Sequence, residues 1–128
     1  MEELSPSIED CLRTIYLLRG EDAEKIVRVS ELAKQMNISM ACVSRDTKLL
    51  AEKGLIQKNK YRGVFLTPKG EKQAAELSRR HSMIRRFLNE VLHVDRDVAE
   101  KNACDAEHIL TDEVYRSMCE CLADEDAR

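Results

Sequence analysis

Apolar residues recur along this chain first with the period of a helix, then with that of a strand, then again with that of a helix. Ser5-Pro6-Ser7 is a helix-start signal, since proline's fixed φ suits a first turn whose N–H groups lack partners. Ile8, Cys11, Leu12, Ile15 and Leu18 follow at helical spacing, predicting a helix to about Leu18 that Gly20-Glu21-Asp22 breaks. Ala23 to Val27 reads as a weaker connecting or short helical piece. Ser30 then offers an N-cap for a short helix with Leu32, Ala33 and Met36 on its apolar side. Asn37-Ile38 makes a tight turn, and Ser39 caps a second helix whose buried stripe is Val43, Thr47, Leu50 and Ala51, ending at Gly54. Two short helices joined in this way are a helix-turn-helix.

Past Gly54 the period falls from 3.6 to 2. Leu55 to Lys58 and Gly63 to Leu66 are strand-like, and the polar Asn59-Lys60-Tyr61-Arg62 between them reads as a hairpin turn. A two-stranded wing after a helix-turn-helix is a winged helix. Thr67-Pro68-Lys69-Gly70 then opens a helix from about Glu71 that runs through Leu92, long enough to connect two modules. Asp95 to Asn102, Ala103 to Leu110 and Asp112 to Leu122, capped by Thr111, complete an all-helical end. The fold class expected is mostly α: a winged helix-turn-helix over residues 1–72 and a helical module over 73–128.

Composition as a whole is mute, and its distribution is not. The net charge is −3, yet positions 25 to 72 hold eleven Lys or Arg against four acids, whereas 81 to 128 hold six bases against twelve acids. A basic reading module is joined to an acidic one, and local positive charge is the footprint of a binder of phosphate backbones. The second helix of a helix-turn-helix presents its first turns to base edges in the major groove. Here those positions are Ser39, Met40, Ala41, Cys42, Ser44 and Arg45, with Lys48 a turn further on. Arg45 is the candidate for reading guanine, because its planar fork can bond both major-groove acceptors. Ser39, Ser44 and Lys48 suit phosphate or mixed contacts, and Ala41 and Cys42 small apolar ones. Lys58, Lys60 and Arg62 on the wing would follow the backbone. The bland alternative pairs Arg45 with Asp46 or Glu52 on a solvated face.

Five cysteines, at 11, 42, 104, 119 and 121, form no even ladder of disulfide spacings, and no secretory or membrane-spanning stretch is evident. Reduced thiols in a cytoplasm are expected. Cys104, Glu107 and His108 stand at i, i+3 and i+4, one face of a helix, and a thiolate, a carboxylate and an imidazole are three ligands for a transition metal. The spacing alone equally suits a core thiol, a solvated glutamate and a half-buried histidine.

At this point the sequence resembles the diphtheria toxin repressor and manganese transport regulator family of metal-activated repressors. The likeness runs along nearly the whole chain: Ile8 to Tyr16 in the first helix; Lys60-Tyr61-Arg62-Gly63 and Leu66 to Gly70 around the wing; Arg80-His81; and Cys104-x-x-Glu107-His108 followed by Asp112-Glu113-Val114. The resemblance implies a homodimer of winged helices that binds double-stranded operator DNA when loaded with metal. It also implies a short form, lacking the additional SH3-like domain of longer relatives. Carried over residue by residue, the ligands implied are Asp10, Cys104, Glu107 and His108, with His81 matching one ligand of a second site. Iron-responsive members have Met where Asp10 stands and Cys at 104, and manganese-responsive ones Asp and Glu, so this chain is a hybrid. The thiolate favours Fe(II), with Mn(II) close behind. Arg13 and Arg85 fall where the family places carboxylates of the second site, so one metal per subunit is expected. Glu100 falls where iron-type members carry a histidine ligand.

Two other classes remain as alternatives. A thiol-based redox regulator would use Cys104, or Cys119 and Cys121, although the last two point apart on a helix. A hydrolytic metalloenzyme would need an open coordination position and a further general base. The sequence offers no such base, so neither an enzyme nor a membrane or small organic ligand is expected.

Overall fold

Pro6–Arg19 form α1, whose buried side is Ile8, Cys11, Leu12 and Ile15, the residues that the helical spacing selects. The computed structural model describes residues 3–61 and 63–128; two units, Met1–Glu76 and Leu77–Arg128, are each compact in themselves.

In the first unit the segment after α1 takes the connecting form of the two expected, and it ends in a strand that the pattern did not indicate. Val27–Arg28 is extended and forms β1. It pairs antiparallel with β3 (Gly63–Leu66), Val27 opposite Val64 and Arg28 opposite Gly63. β3 also pairs with β2 (Ile56–Lys58), so the wing is part of a three-stranded sheet of order β1-β3-β2. Helix α2 spans Val29–Met36 and starts one residue before the expected cap Ser30. The Glu31 carboxylate accepts from the Arg28 N–H at 3.2 Å, satisfying one of the donors at the start of the helix. Asn37 takes the left-handed conformation (φ 54) that turns the chain into α3, Met40–Glu52. Ser39 caps α3 as expected, its hydroxyl accepting from Cys42 N–H at 3.1 Å. The α3 stripe holds Val43, Thr47 and Leu50, but Asp46 is buried with them and Ala51 is not fully covered. The Ser7 hydroxyl donates to Asp46 Oδ2 at 3.1 Å, which answers part of the cost of burying that carboxylate.

Leu12, Ile15, Leu32, Leu50, Leu55, Ile56, Val43 and Val64 are fully buried, each contributing about 1.5–3 kcal/mol by leaving water. Gly54, at φ 74, reverses the chain after α3. Gly70 permits a close approach: a Cβ there would collide with the Leu55 carbonyl.

Helix α4, Pro68–Arg86, starts a turn earlier than its apolar pattern suggests, because the Thr67 hydroxyl accepts from Gly70 N–H at 3.1 Å. In the second unit α4 does not run on as an α-helix to Leu92: Phe87–Val91 widen into a π-helical turn, and His93 at φ 59 ends it. The expected pieces on either side of Asn102 and Ala103 are one helix, α5 (Arg96–Ala106), and Thr111 caps α6 (Asp112–Asp126). Arg80 fastens α4 to the start of α6, donating to Asp112 Oδ1 at 3.0 Å and to the Leu110 carbonyl while lying over the Tyr115 ring. The apolar core of this unit is thin: Leu77, Ile84, Ala99, Ala103 and Leu122. Among the described residues no helix is long and apolar enough to cross a membrane.

Candidate metal centre and nucleic-acid interface

In the first unit the apolar side of α3 is consumed by the core, which leaves its other side to solvent. Ser39, Ala41, Ser44, Arg45 and Lys48 are exposed and Cys42 is half-buried. Arg45 is 70% exposed at its side chain; its Nε lies 3.8 Å from the buried Asp46 carboxylate, so one edge of the guanidinium is steadied and the rest is presented outward. Lys58 and Lys60 are exposed on the wing, and Lys58 Nζ donates to the Ser44 carbonyl at 3.5 Å, joining wing to α3. Lys60 lies over the ring of the exposed Tyr61. Arg62 lies outside the described residues.

Cys11 is wholly buried next to Asp10. Burial, together with the negative charges of Asp46 and Asp10, pushes its thiol up to about 12, which makes it an inert core residue. Asp10 itself is half-buried on α1, with Arg13 Nη2 3.6 Å from its Oδ1.

The second unit gathers its chemistry around one histidine. His81 on α4 is 7% exposed, and a carboxylate faces each ring nitrogen: Glu107 Oε2 is 3.0 Å from Nδ1, and Glu100 Oε1 is 2.8 Å from Nε2. Glu107 is buried too, and its Oε1 lies 3.4 Å from His108 Nε2. Donor atoms of His81, Glu100 and Cys104 all lie within 4.8 Å of one another, a spacing that fits a common cation. Mixed nitrogen, carboxylate and thiolate donors suit a first-row transition ion.

The helical-face expectation needs correcting here. Helix α5 ends at Ala106, Glu107 is its C-cap, and His108 stands in the following turn. The helix expected to reach Leu110 therefore stops short: Glu107 still has helical dihedrals, with its N–H on the Ala103 carbonyl, Cys104 groups with Glu100, four residues earlier, and Glu107 lies against His81 and His108. Glu100 also receives Arg85, whose Nη1 is 3.4 Å from Oε2. Partial burial pushes the Glu100 carboxyl up, but its hydrogen bond and ion pair with His81, helped by Arg85, outweigh this and hold it below the usual carboxylate range.

Sequence models of known families match the chain in two consecutive segments. Residues 3–64 match the iron dependent repressor, N-terminal DNA binding domain, and residues 67–126 the iron dependent repressor, metal binding and dimerisation domain. The chain belongs to the iron-dependent repressor family. Among relatives, an uncharacterized HTH-type transcriptional regulator of Methanocaldococcus jannaschii is 38% identical over 115 residues, covering 90% of this chain and 91% of that protein. The transcriptional regulator MntR of Salmonella typhimurium is 40% identical over 106 residues, covering 83% of this chain and 66% of MntR. The solved structure of the manganese regulator SloR superposes with a TM-score of 0.78 at 30% identity, covering 94% of this chain and 55% of SloR. The chain thus spans about half the length of that structure. Within the iron-dependent repressor frame, the basic winged helix falls in the DNA-binding segment and the histidine-centred cluster in the metal-binding one. Glu100 entered the sequence reading only through the resemblance; its place beside His81 is set by the packing of α5 on α4.

Proposed function

We propose that this chain is a metal-dependent repressor of metal-homeostasis genes, acting in the cytoplasm as a homodimer on double-stranded operator DNA, and not an enzyme. The observation that carries the reading is the junction of two things in one chain. An exposed, basic reading helix and wing stand in one unit, and buried Glu107 and His81 converge with His108, Cys104 and Glu100 in the other.

Asp10, Cys104, Glu107 and His108 would hold the ion, with His81 as a further candidate ligand. The ion supplies a fixed positive charge that draws these donors together. Cys104 and the imidazoles favour Fe(II), and Asp10 and Glu107 keep Mn(II) close behind. Because Asp10 is on α1 of the reading unit and the other ligands are on the helical unit, ligation constrains the two units of one subunit. Constraining both subunits of a dimer sets the spacing of the two reading helices against half-sites on one face of the duplex. Arg45 reads a guanine, Ser39, Ser44 and Lys48 steady the backbone, and Lys58, Lys60 and Arg62 add wing contacts.

The test is selection from a randomised duplex library under anaerobic reduction, with Mn(II), Fe(II), Co(II), Zn(II) or chelator. Enrichment of one two-half-site sequence is expected with Fe(II) or Mn(II), and none with chelator. The same enrichment with chelator, or from Asp10→Ala without metal, overturns the reading.

A further inference from the structure

Three carboxylate or thiol donors crowd one buried imidazole in the second unit, which would let a cation sit among His81, Glu100 and Cys104 as well as near Glu107 and His108. A cation is already there. Arg85 stands one helical turn after His81 on α4, so both side chains project toward α5. Its Nη1 reaches Glu100 Oε2 at 3.4 Å, and its Nη2 is tied to the Ser82 hydroxyl at 3.4 Å. The Glu100 carboxylate is therefore spanned at both oxygens, Oε1 by His81 and Oε2 by Arg85. The contacts continue as a chain: Arg85 Nη1 donates to Glu100 Oε2, Glu100 Oε1 meets His81 Nε2, and His81 Nδ1 meets Glu107 Oε2.

The geometry points to Arg85 as a tethered cation that takes the role of a second metal ion, fixing Glu100 and thereby aiming His81 at the ligand Glu107. This rests on the metal-binding reading above and adds a positioning residue to it. Arg85 is a third exposed, and its bonds to Glu100 and Ser82 let it reach the proposed ligands through Glu100. It acts only through Glu100 and His81. A tethered guanidinium costs nothing to recruit from solution, so the orientation of Glu107 no longer depends on a second ion being bound.

Outer-shell partners of metal ligands typically control affinity by about 10–100-fold. The experiment is anaerobic titration of the full chain with Co(II), reading stoichiometry by elemental analysis and thiolate coordination by the cobalt–sulfur absorption band. Wild type is expected to take one ion. Arg85→Gln should still take one, bound roughly tenfold more weakly, with Arg85→Lys restoring the affinity. Arg85→Glu should take two, and Arg85→Glu combined with His81→Ala should lose the second. Circular dichroism confirms that each variant is folded, and Arg85→Lys separates the role of charge from that of packing. Unchanged affinity in Arg85→Gln, or a single ion in Arg85→Glu, overturns the role of Arg85 while wild type still binds its ion. A wild type that binds no ion overturns the underlying metal reading instead.

Discussion

The two units of this chain differ in how much apolar core they build around their buried polar groups. The first packs a run of fully buried Leu, Ile and Val residues, with Arg19 and Asp46 buried beside them, and sets Arg45, Lys48, Lys58 and Lys60 outward. The second buries a histidine and a glutamate, with only Leu77, Ile84, Ala99, Ala103 and Leu122 as apolar core. A segment this short with so little apolar core gains modest stability from burial alone. The first unit is held by its own interior. The second has a polar centre and a thin apolar core, an arrangement whose stability grows with what it binds and pairs with.

Three measurements bear on that contrast, in falling order of effect. Leu50→Ala empties a fully buried position of the first unit and should cost about 2–5 kcal/mol in urea unfolding. The number of metal ions taken up by the folded variant should not change. A loss below about 1 kcal/mol would mean that this unit, too, leans on partners. Removing metal should act on the other side: relative to protein with free ion at a hundred times Kd, stability falls by about 2.7 kcal/mol. Hydrogen exchange should quicken in α5 and α6 and stay as it was in α2 and α3. Equal quickening in both units would erase the distinction. Arg45→Ala should weaken binding to the selected duplex by about 1–3 kcal/mol and relax preference at a single base pair. Metal affinity is expected to be untouched; a uniform loss across all sequences would reassign Arg45 to the backbone.

How far the sequence revealed all this follows the same division. Helix α1, the reading helix with its Ser39 cap, and the strands of the wing follow from patterns within a few residues, where local periodicity and capping act. β1 escaped because two residues carry no period of their own; Val27 and Arg28 are extended only because β3, more than thirty positions later, pairs with them. The end of α5 at Ala106 has no glycine or proline to announce it, so the Cys104, Glu107 and His108 spacing promised a helical face that the chain does not continue. The π-helical turn at Phe87–Val91 likewise has no compositional mark. Links such as His81 to Glu100 join helices, and no short-range pattern encodes them. The identity of the candidate ligands came from resemblance; their grouping around His81 came from tertiary structure.

The hydrogen bond from Ser7 to the buried Asp46 has a mechanical meaning. It rivets α1, three residues before Asp10, to α3 at the residue next to Arg45. A pull on Asp10 under the proposed mechanism is therefore passed to α3 beside Arg45 through this side-chain bond as well as through the apolar core that α1 and α3 share.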